Sequence, residues 1–277
     1  MRAATQLAQE IADSCAELLG DRLVAAILHG SLVLGDYSPA SSDVDLLAIV
    51  ERPLTDDELA ALAELVLARR GRAAGIDLRV VTRAAVGEPT ESPAMELYIG
   101  VHHDHEPELL RRIVGERDLV AELSMVRAVG RSLVGPDPTA VVAATPAEWV
   151  VAYGDEVLER WQQLTDDAEH AALMVLTACR IWRFAVERVH CSKTEAAPTG
   201  RSCRSRRCRP SRSRSGGALA TPTCRSCRPT SPRCSPASAA SSPGATPRCE
   251  THRAARLEVT DSSSDARLCW QAPSHAR

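Results

Sequence analysis

Two aspartates separated by one residue open an apolar run, and a glycine-serine step precedes them. Asp43 and Asp45 begin the segment 43–50, DVDLLAIV, and eleven residues separate this segment from Gly30-Ser31. If 43–50 is a strand, both carboxylates point to the same face of a sheet. They repel each other there unless a cation lies between them, and Mg²⁺ takes oxygen ligands that it shares with nucleotide phosphates.

The glycine-serine step follows an almost wholly apolar segment, 23–30, and stands where a helix would begin. Backbone N–H groups at a helix N-terminus and a nearby hydroxyl suit a phosphate, which glycine lets come close. Asp77 begins a third apolar segment, 75–83, and brings a third carboxylate nearby if these strands are neighbours. That group could bind a second metal ion or accept a proton from an attacking hydroxyl. The set indicates metal-assisted phosphoryl or nucleotidyl transfer rather than a plain turn and an exposed strand end.

The surrounding pattern predicts a small α/β domain followed by helices. A helix over 4–20 ends at Gly20, and a helix over 55–70 begins at the N-cap Thr55 with acidic residues in its first turn. After about residue 105 we predict no further strand. The predicted strands span 23–30, 43–50 and 75–83, and the predicted later helices lie within 107–135, 145–164 and 166–190.

Composition divides the chain near residue 196. Residues 1–196 hold 18 Lys+Arg and 32 Asp+Glu, a net charge of −14, whereas residues 197–277 hold 15 Arg and 4 acidic residues, a net charge of +11. The first part is rich in Ala, Leu and Val and can bury a core. No secretory signal and no apolar run of membrane-spanning length is recognisable, so we expect a cytoplasmic protein with no membrane partner, and a monomer.

The pattern of an apolar strand, Gly-Ser, Asp-x-Asp and a carboxylate on the next strand resembles the nucleotidyltransferase superfamily. The segments ELYIGVHHDHEPELLRRIVGERDLVAELSMVRAVGRSLVGP and MVLTACRIWRFAVERVHCSKTEA resemble the helical domain of the streptomycin/spectinomycin adenylyltransferases. The resemblance covers roughly residues 20–196. It implies an α+β fold: a polymerase-beta-like nucleotidyltransferase domain, 1–104, followed by a helical bundle, 105–196. The composition of the remaining residues predicts a disordered tail, 197–277, so that the bundle is incomplete.

The resemblance also implies roles for individual residues, with ATP as co-substrate and Mg²⁺ as cofactor. Asp43 and Asp45 would hold Mg²⁺, and the Gly30-Ser31 turn would contact the ATP phosphates. Asp77 would be the general base, at a position where the family typically has the longer Glu. The helical domain would contact ATP through Arg180 and Lys193, and Lys193 is the only lysine in the chain.

Two positions depart from the family. The streptomycin-recognising tryptophan falls near His102, and the acidic positions before the long helix are only partly matched, by Asp166 with Glu169 as a second candidate. We therefore place His102 and Asp166 at the acceptor and favour an aminocyclitol such as spectinomycin over streptomycin. The stretch HHDH, 102–105, could suggest zinc, but without a Cys or a Glu-x-x-His pattern we predict a solvated loop.

The tail, 197–277, is rich in Arg, Ser, Cys and Pro and lacks Ile, Phe, Tyr, Met and Lys. It could be a basic RNA-binding arm or a metal module, yet it has little apolar residue to pack around a zinc. G+C-rich coding DNA translated out of frame yields this composition, and the change is abrupt. We favour the hypothesis of a frameshift close to residues 195–200, which would remove the last helices of the bundle.

The function that we predict is Mg²⁺-dependent transfer of AMP from ATP to a hydroxyl of an aminoglycoside or aminocyclitol antibiotic, with no nucleic-acid partner. Two alternatives stay open at this point. One is a nucleotidyltransferase with the same core that acts on a protein or RNA hydroxyl. The other is a non-enzymatic protein that binds nucleic acid through its Arg/Ser tail.

Overall fold

The computed structural model describes residues 1–103, 105–164 and 171–197. Asp166 and almost the whole tail, from residue 198, lie outside these residues. The strands are β1 Leu23–Leu28, β2 Asp43–Val50, β3 Gly75–Thr82, β4 Met95–His102, β5 Glu108–Ile113 and β6 Arg131–Val134. The α-helices are α1 Arg2–Leu19, α2 Ser31–Leu34, α3 Asp56–Leu67, α4 Arg83–Gly87, α5 Leu119–Val129, α6 Pro138–Val141, α7 Ala147–Trp161, α8 Ala171–Glu187 and α9 Lys193–Ala196.

The six strands form one mixed sheet in the order β5-β4-β3-β2-β1-β6. Only β2 and β3 pair in parallel, and the register places Asp45 opposite Asp77. The other neighbours are antiparallel. The α+β fold that we predicted is confirmed, and the two strands that carry the aspartates are neighbours at the centre of the sheet.

Helices cover both faces of this sheet. On one face α1 and α3 bury Leu7, Ile11 and Leu59 against alternate residues of the strands. Helix α3 begins at the predicted N-cap, because Thr55 and Glu58 form a reciprocal capping box. On the other face α5 packs Leu119 and Leu123 against the sheet.

The expectation that strands stop near residue 105 is wrong. Strand β5 pairs with β4, and β6 pairs with β1, so both edge strands come from the region that we predicted to be helical. In the sequence of β5, ELLRRI, the apolar spacing suits a helix as well as a strand. Pairing with the open edge of β4 decides between them, since strand formation depends on neighbouring strands more than on local preference.

Helices α5, α7 and α8 share a separate core that includes Val120, Tyr153, Ile181 and Phe184. Helix α5 therefore packs on the sheet with one side and on the helical part with another. Within the described residues, no helix is both long and apolar enough to cross a bilayer.

Candidate active site

The central carboxylates project from one face of the sheet. Asp43 and Asp45 stand two residues apart on β2, and their residues are only 6% and 5% exposed. Asp77 on β3 lies opposite Asp45 in the register and is buried as well. The structure thus brings together the three carboxylates that the sequence singled out, in a setting with little water to screen their mutual repulsion.

Two glycines make room for Asp45 and Asp43. A Cβ atom on Gly30 would collide with Asp45 Oδ2, and a Cβ atom on Gly75 would collide with Asp43 Oδ1. The backbone of Gly30 also has a φ of +66°, a conformation that residues other than glycine rarely adopt. The glycine before Ser31 therefore sets the turn and at the same time leaves the space that Asp45 fills.

Gly30→Ala is expected to destabilise the fold more than a change of backbone conformation alone would. Gly20→Ala is the matched control, because Gly20 has a φ of +52° but no atom within 4 Å of the added Cβ. The positive φ, at a ψ outside the left-handed helical region, should cost both variants about 1–3 kcal/mol, and the collision with Asp45 should cost Gly30→Ala about 1–3 kcal/mol more. Urea unfolding of both variants measures this difference, and equal losses would contradict it.

His102 joins two of the carboxylates. Its Nδ1 lies 3.3 Å from Asp43 Oδ1 and its Nε2 lies 3.4 Å from Asp77 Oδ1. Contact with Asp43, and next with Asp77, raises the pKa of His102 to about 10 against the opposing effect of burial. His102 ends β4 and its side chain is 12% exposed, so the predicted solvated loop over 102–105 does not begin at this residue. Gly75 lies opposite His102 and leaves it the space to reach Asp43.

A cleft opens in front of Asp43 and Asp45, between the Gly30-Ser31 turn and the end of helix α8. The hydroxyl Oγ of Ser31 is buried and has no hydrogen-bond partner among the described residues. Arg180 of helix α8 and Lys193 of helix α9 line the same cleft. The structure therefore gathers the predicted phosphate, metal and ATP residues around one space, and Asp77 and His102 border Asp43 and Asp45. Asp166 lies outside the described residues.

The segment that carries Lys193 is tied to the loop that follows helix α2. Asp36, which follows the α2 turn, accepts hydrogen bonds from the backbone N–H of Thr194 at 3.2 Å and from its hydroxyl at 3.0 Å. Ser192 caps α9 and forms a capping box with Glu195. These contacts hold the only lysine of the chain at the mouth of the cleft.

A group of buried charged side chains on one side of the cleft was not predicted from the sequence. Arg79 donates to Asp118 Oδ2 at 3.0 Å and pairs with Glu122 Oε2 at 3.0 Å. His29 Nε2 lies 3.2 Å from the other oxygen of Glu122. The signals were an arginine two residues after Asp77 on an apolar strand, and two acids four residues apart on a helix. These signals are weak, because surface residues show the same spacings.

Burial and pairing oppose each other in this group. Burial raises the pKa of Asp118 to about 7. Burial also disfavours the charge of Arg79, yet Glu122 and Asp118 together raise its pKa well above the usual range. Glu122 has a lowered pKa, because Arg79 and His29 outweigh its burial. The guanidinium is thus a fixed positive charge between two acids of α5.

His190 supplies a pH-dependent contribution to stability on the helical side of the cleft. Its Nε2 lies 2.9 Å from Ser124 Oγ, and its ring packs 4.6 Å from that of Phe184. Burial, and next Arg180, lower the pKa of His190 from 6.5 to about 4. The contribution of His190 to the stability of the fold is therefore fully present above pH 6.5 and is lost as the pH falls through about 4. The reason is that His190 binds a proton more readily in the unfolded chain than in the folded one.

We expect the melting temperature of the wild type to fall more steeply between pH 7 and pH 4 than that of His190→Gln. The glutamine can still reach Ser124 but does not ionise. Thermal unfolding followed by circular dichroism across this range measures the two profiles. Parallel profiles would contradict the expectation.

The donor set suits Mg²⁺ bound as part of a nucleotide complex. Within residues 1–103, 105–164 and 171–197, no three His, Cys, Asp or Glu side chains converge to enclose a metal ion. Asp43 and Asp45 offer carboxylate oxygens on one face, and one oxygen of Asp77 and the hydroxyl of Ser31 are buried without a hydrogen-bond partner. A pair of carboxylates that leaves other positions to phosphates and water is the arrangement in which proteins usually bind this ion.

Comparison with known proteins relates residues 8–93 to a known family. A family model described as a nucleotidyltransferase domain matches residues 8–93. The solved structure of spectinomycin adenyltransferase AAD(9) from Enterococcus faecialis, with ATP and spectinomycin, matches with a TM-score of 0.54 and 17% identity, over 69% of this chain and 80% of that chain.

Two toxin–antitoxin structures match less well. One contains AMP-PNP and has a TM-score of 0.28 at 14% identity. The other is a mutant MntA-HpeT structure with a TM-score of 0.29 at 12% identity. Each match covers 57% of this chain and 96% of that chain, and neither is close enough to support an argument. The match to a nucleotidyltransferase domain thus covers residues 8–93, and the chain as described is similar in fold to a spectinomycin adenyltransferase.

Proposed function

We propose that the protein transfers AMP from ATP to a hydroxyl of an aminoglycoside or aminocyclitol, with Mg²⁺ as cofactor. The observation that supports this most is that Asp43, Asp45, Arg180 and Lys193 line the same cleft. Carboxylates that attract a metal ion and basic groups that attract phosphates, around one space, suit a nucleoside triphosphate.

Each wall of the cleft has a distinct part in binding. The buried hydroxyl of Ser31 has no hydrogen-bond partner in the described part of the chain, which suits a phosphate oxygen. Lys193, held in place through Thr194 and Asp36, offers a compact positive charge to the same triphosphate, and Arg180 offers a second. Asp43 and Asp45 would hold Mg²⁺, which when bound stabilises negative charge on the phosphates and the leaving group.

Asp77 is the residue that we propose as general base. In the transfer step the acceptor O–H bond breaks and its proton passes to the Asp77 carboxylate. The acceptor oxygen forms a bond to the α-phosphorus of ATP. The bond from that phosphorus to the oxygen bridging the α- and β-phosphates breaks, and pyrophosphate leaves. His102, in contact with both Asp43 and Asp77, would border the acceptor.

The choice of an antibiotic acceptor rests on charge and on similarity. Residues 1–196 carry a net charge of −14, which would attract a cationic antibiotic. The solved adenyltransferase with the similar fold was crystallised with ATP and spectinomycin. We expect an aminocyclitol to be the better acceptor, because His102 stands where the resembled family has its streptomycin-recognising tryptophan.

The test is transfer of label from ATP labelled at the α-phosphate. The purified chain is incubated with Mg²⁺ and, separately, with spectinomycin, streptomycin and related compounds, and products are separated by mass. The protein Asp43→Asn, purified in parallel, serves as the blank for contaminating transferases. We expect a mass increase of one AMP on one class of compound. Label on a protein or RNA, or on nothing, would overturn the proposed acceptor.

A further inference from the structure

The two oxygens of the Asp77 carboxylate have different surroundings. Oδ1 accepts a hydrogen bond from the hydroxyl of Tyr98 at 3.2 Å and lies 3.4 Å from His102 Nε2. Oδ2 is buried and has no hydrogen-bond partner among the described residues. A buried carboxylate oxygen without a donor is unfavourable in a folded protein unless a ligand supplies one. The asymmetry therefore distinguishes an oxygen that the protein holds from one that is left for a substrate.

The sheet is built to allow the bond between Tyr98 and Asp77. Gly100 lies directly opposite Asp77 in the antiparallel pair of β3 and β4, and Tyr98 is two residues away on the same face. A Cβ atom on Gly100 would lie 2.5 Å from Tyr98 Oη and 3.1 Å from Asp77 Oδ1. Any other residue at this position would thus intrude on the hydrogen bond, because Cβ atoms do not approach other atoms so closely.

Tyr98 is itself held firmly. Its side chain is buried in the core under α5, and the Arg79 guanidinium lies 4.8 Å from the centre of its ring. Asp118 and Glu122 hold that guanidinium from helix α5. A series of contacts therefore runs from α5 through Arg79 and Tyr98 to one oxygen of Asp77.

We propose that Tyr98 is a positioning residue that fixes the Asp77 carboxylate so that Oδ2 faces the acceptor hydroxyl. This inference rests on the proposed function, in which Asp77 is the base. Asp77 is one methylene shorter than the glutamate typical of the resembled family, so its carboxylate stays close to the strand. The hydrogen bond from Tyr98 selects one rotation of this carboxylate, and the unpaired oxygen is the one that takes the proton.

The first test is the variant Tyr98→Phe, measured alone and together with Asp77→Asn. We expect Tyr98→Phe to lower kcat by about tenfold, because the base loses one contact that orients it. The KM for ATP should change by less than twofold. In the Asp77→Asn background the same change should have no further effect, because its action passes through Asp77. A reduction by the same factor in both backgrounds, or an effect confined to KM, would overturn the proposal.

The control is Tyr153→Phe, which removes a hydroxyl from another buried tyrosine, in the core that α5, α7 and α8 share. We expect it to retain kcat within twofold. If Tyr153→Phe reduced kcat as much as Tyr98→Phe, loss of a buried hydroxyl would explain the effect without positioning.

A crystal structure of Tyr98→Phe separates this proposal from the proposed function. The Asp77 carboxylate should have a single orientation in the wild type. In the variant it should be rotated or show two orientations. An unchanged carboxylate would overturn the positioning role even if the wild type transferred AMP. If the wild type instead transfers no AMP while the variant shows a rotated carboxylate, the proposed reaction is overturned. That result would still support the role of Tyr98 in positioning Asp77.

Discussion

Asp43→Asn and Asp45→Asn are each expected to lower AMP transfer by about a thousandfold, the scale of losing one preorganised charge at a reacting centre. Each change removes one negative charge from the pair that would hold Mg²⁺ and leaves a weaker neutral ligand. Asparagine has nearly the same shape as aspartate, so Gly75 and Gly30 should still accommodate the side chain. Both variants should therefore fold as the wild type does but lose AMP transfer.

The measurement is transfer rate against Mg²⁺ concentration for the two variants and the wild type, with thermal unfolding of the same preparations. Asp155→Asn makes the same chemical change at an exposed position of helix α7 and should keep its rate within twofold. A cooperative unfolding transition in both site variants would show that lost activity is not lost structure. A rate close to that of the wild type in either variant would remove that aspartate from the proposed metal site.

Arg79→Met is expected to lower the free energy of unfolding by on the order of 3–5 kcal/mol, the usual result of breaking a buried ion pair from one side. The change leaves Asp118 and Glu122 buried and close together without the guanidinium between them. One kcal/mol corresponds to about 2–4 °C in melting temperature for a domain of this size, so the loss should be readily measured.

Arg83→Met is the matched control, because Arg83 pairs with Glu51 in water, with both side chains about half exposed. An exposed pair of this kind is worth at most about 1 kcal/mol. Adding Asp118→Asn and Glu122→Gln to Arg79→Met should restore much of the lost stability, since no uncompensated acid then remains. Equal losses for Arg79→Met and Arg83→Met would contradict the argument that burial makes the difference.

The parts of the fold predicted from sequence are those with strong local signals. The strands that carry Asp43 and Asp77 are nearly continuous apolar runs, and Thr55 marks the start of α3 by a capping box. The edge strands β5 and β6 have no such signal. They are strands because β4 and β1 offer them an open edge, which is a property of the assembled sheet and not of four to six residues.

The same contrast holds for the candidate site. The spacing of Asp43 and Asp45 placed both on one face, as a strand requires. The contact of His102 with Asp43 could not be predicted, because it depends on the register between β3 and β4, which puts His102 opposite Gly75. The partners of Arg79 come from α5, forty residues later, and no local pattern fixes how that helix meets the sheet.

The contact between Asp36 and Thr194 has a consequence for the gene as well as for the cleft. Every described residue that lines the cleft precedes Thr194, and the segment that carries Lys193 ends within a few residues of the point where the amino-acid composition changes. A stop codon after Ala197 would therefore remove none of these cleft-lining side chains.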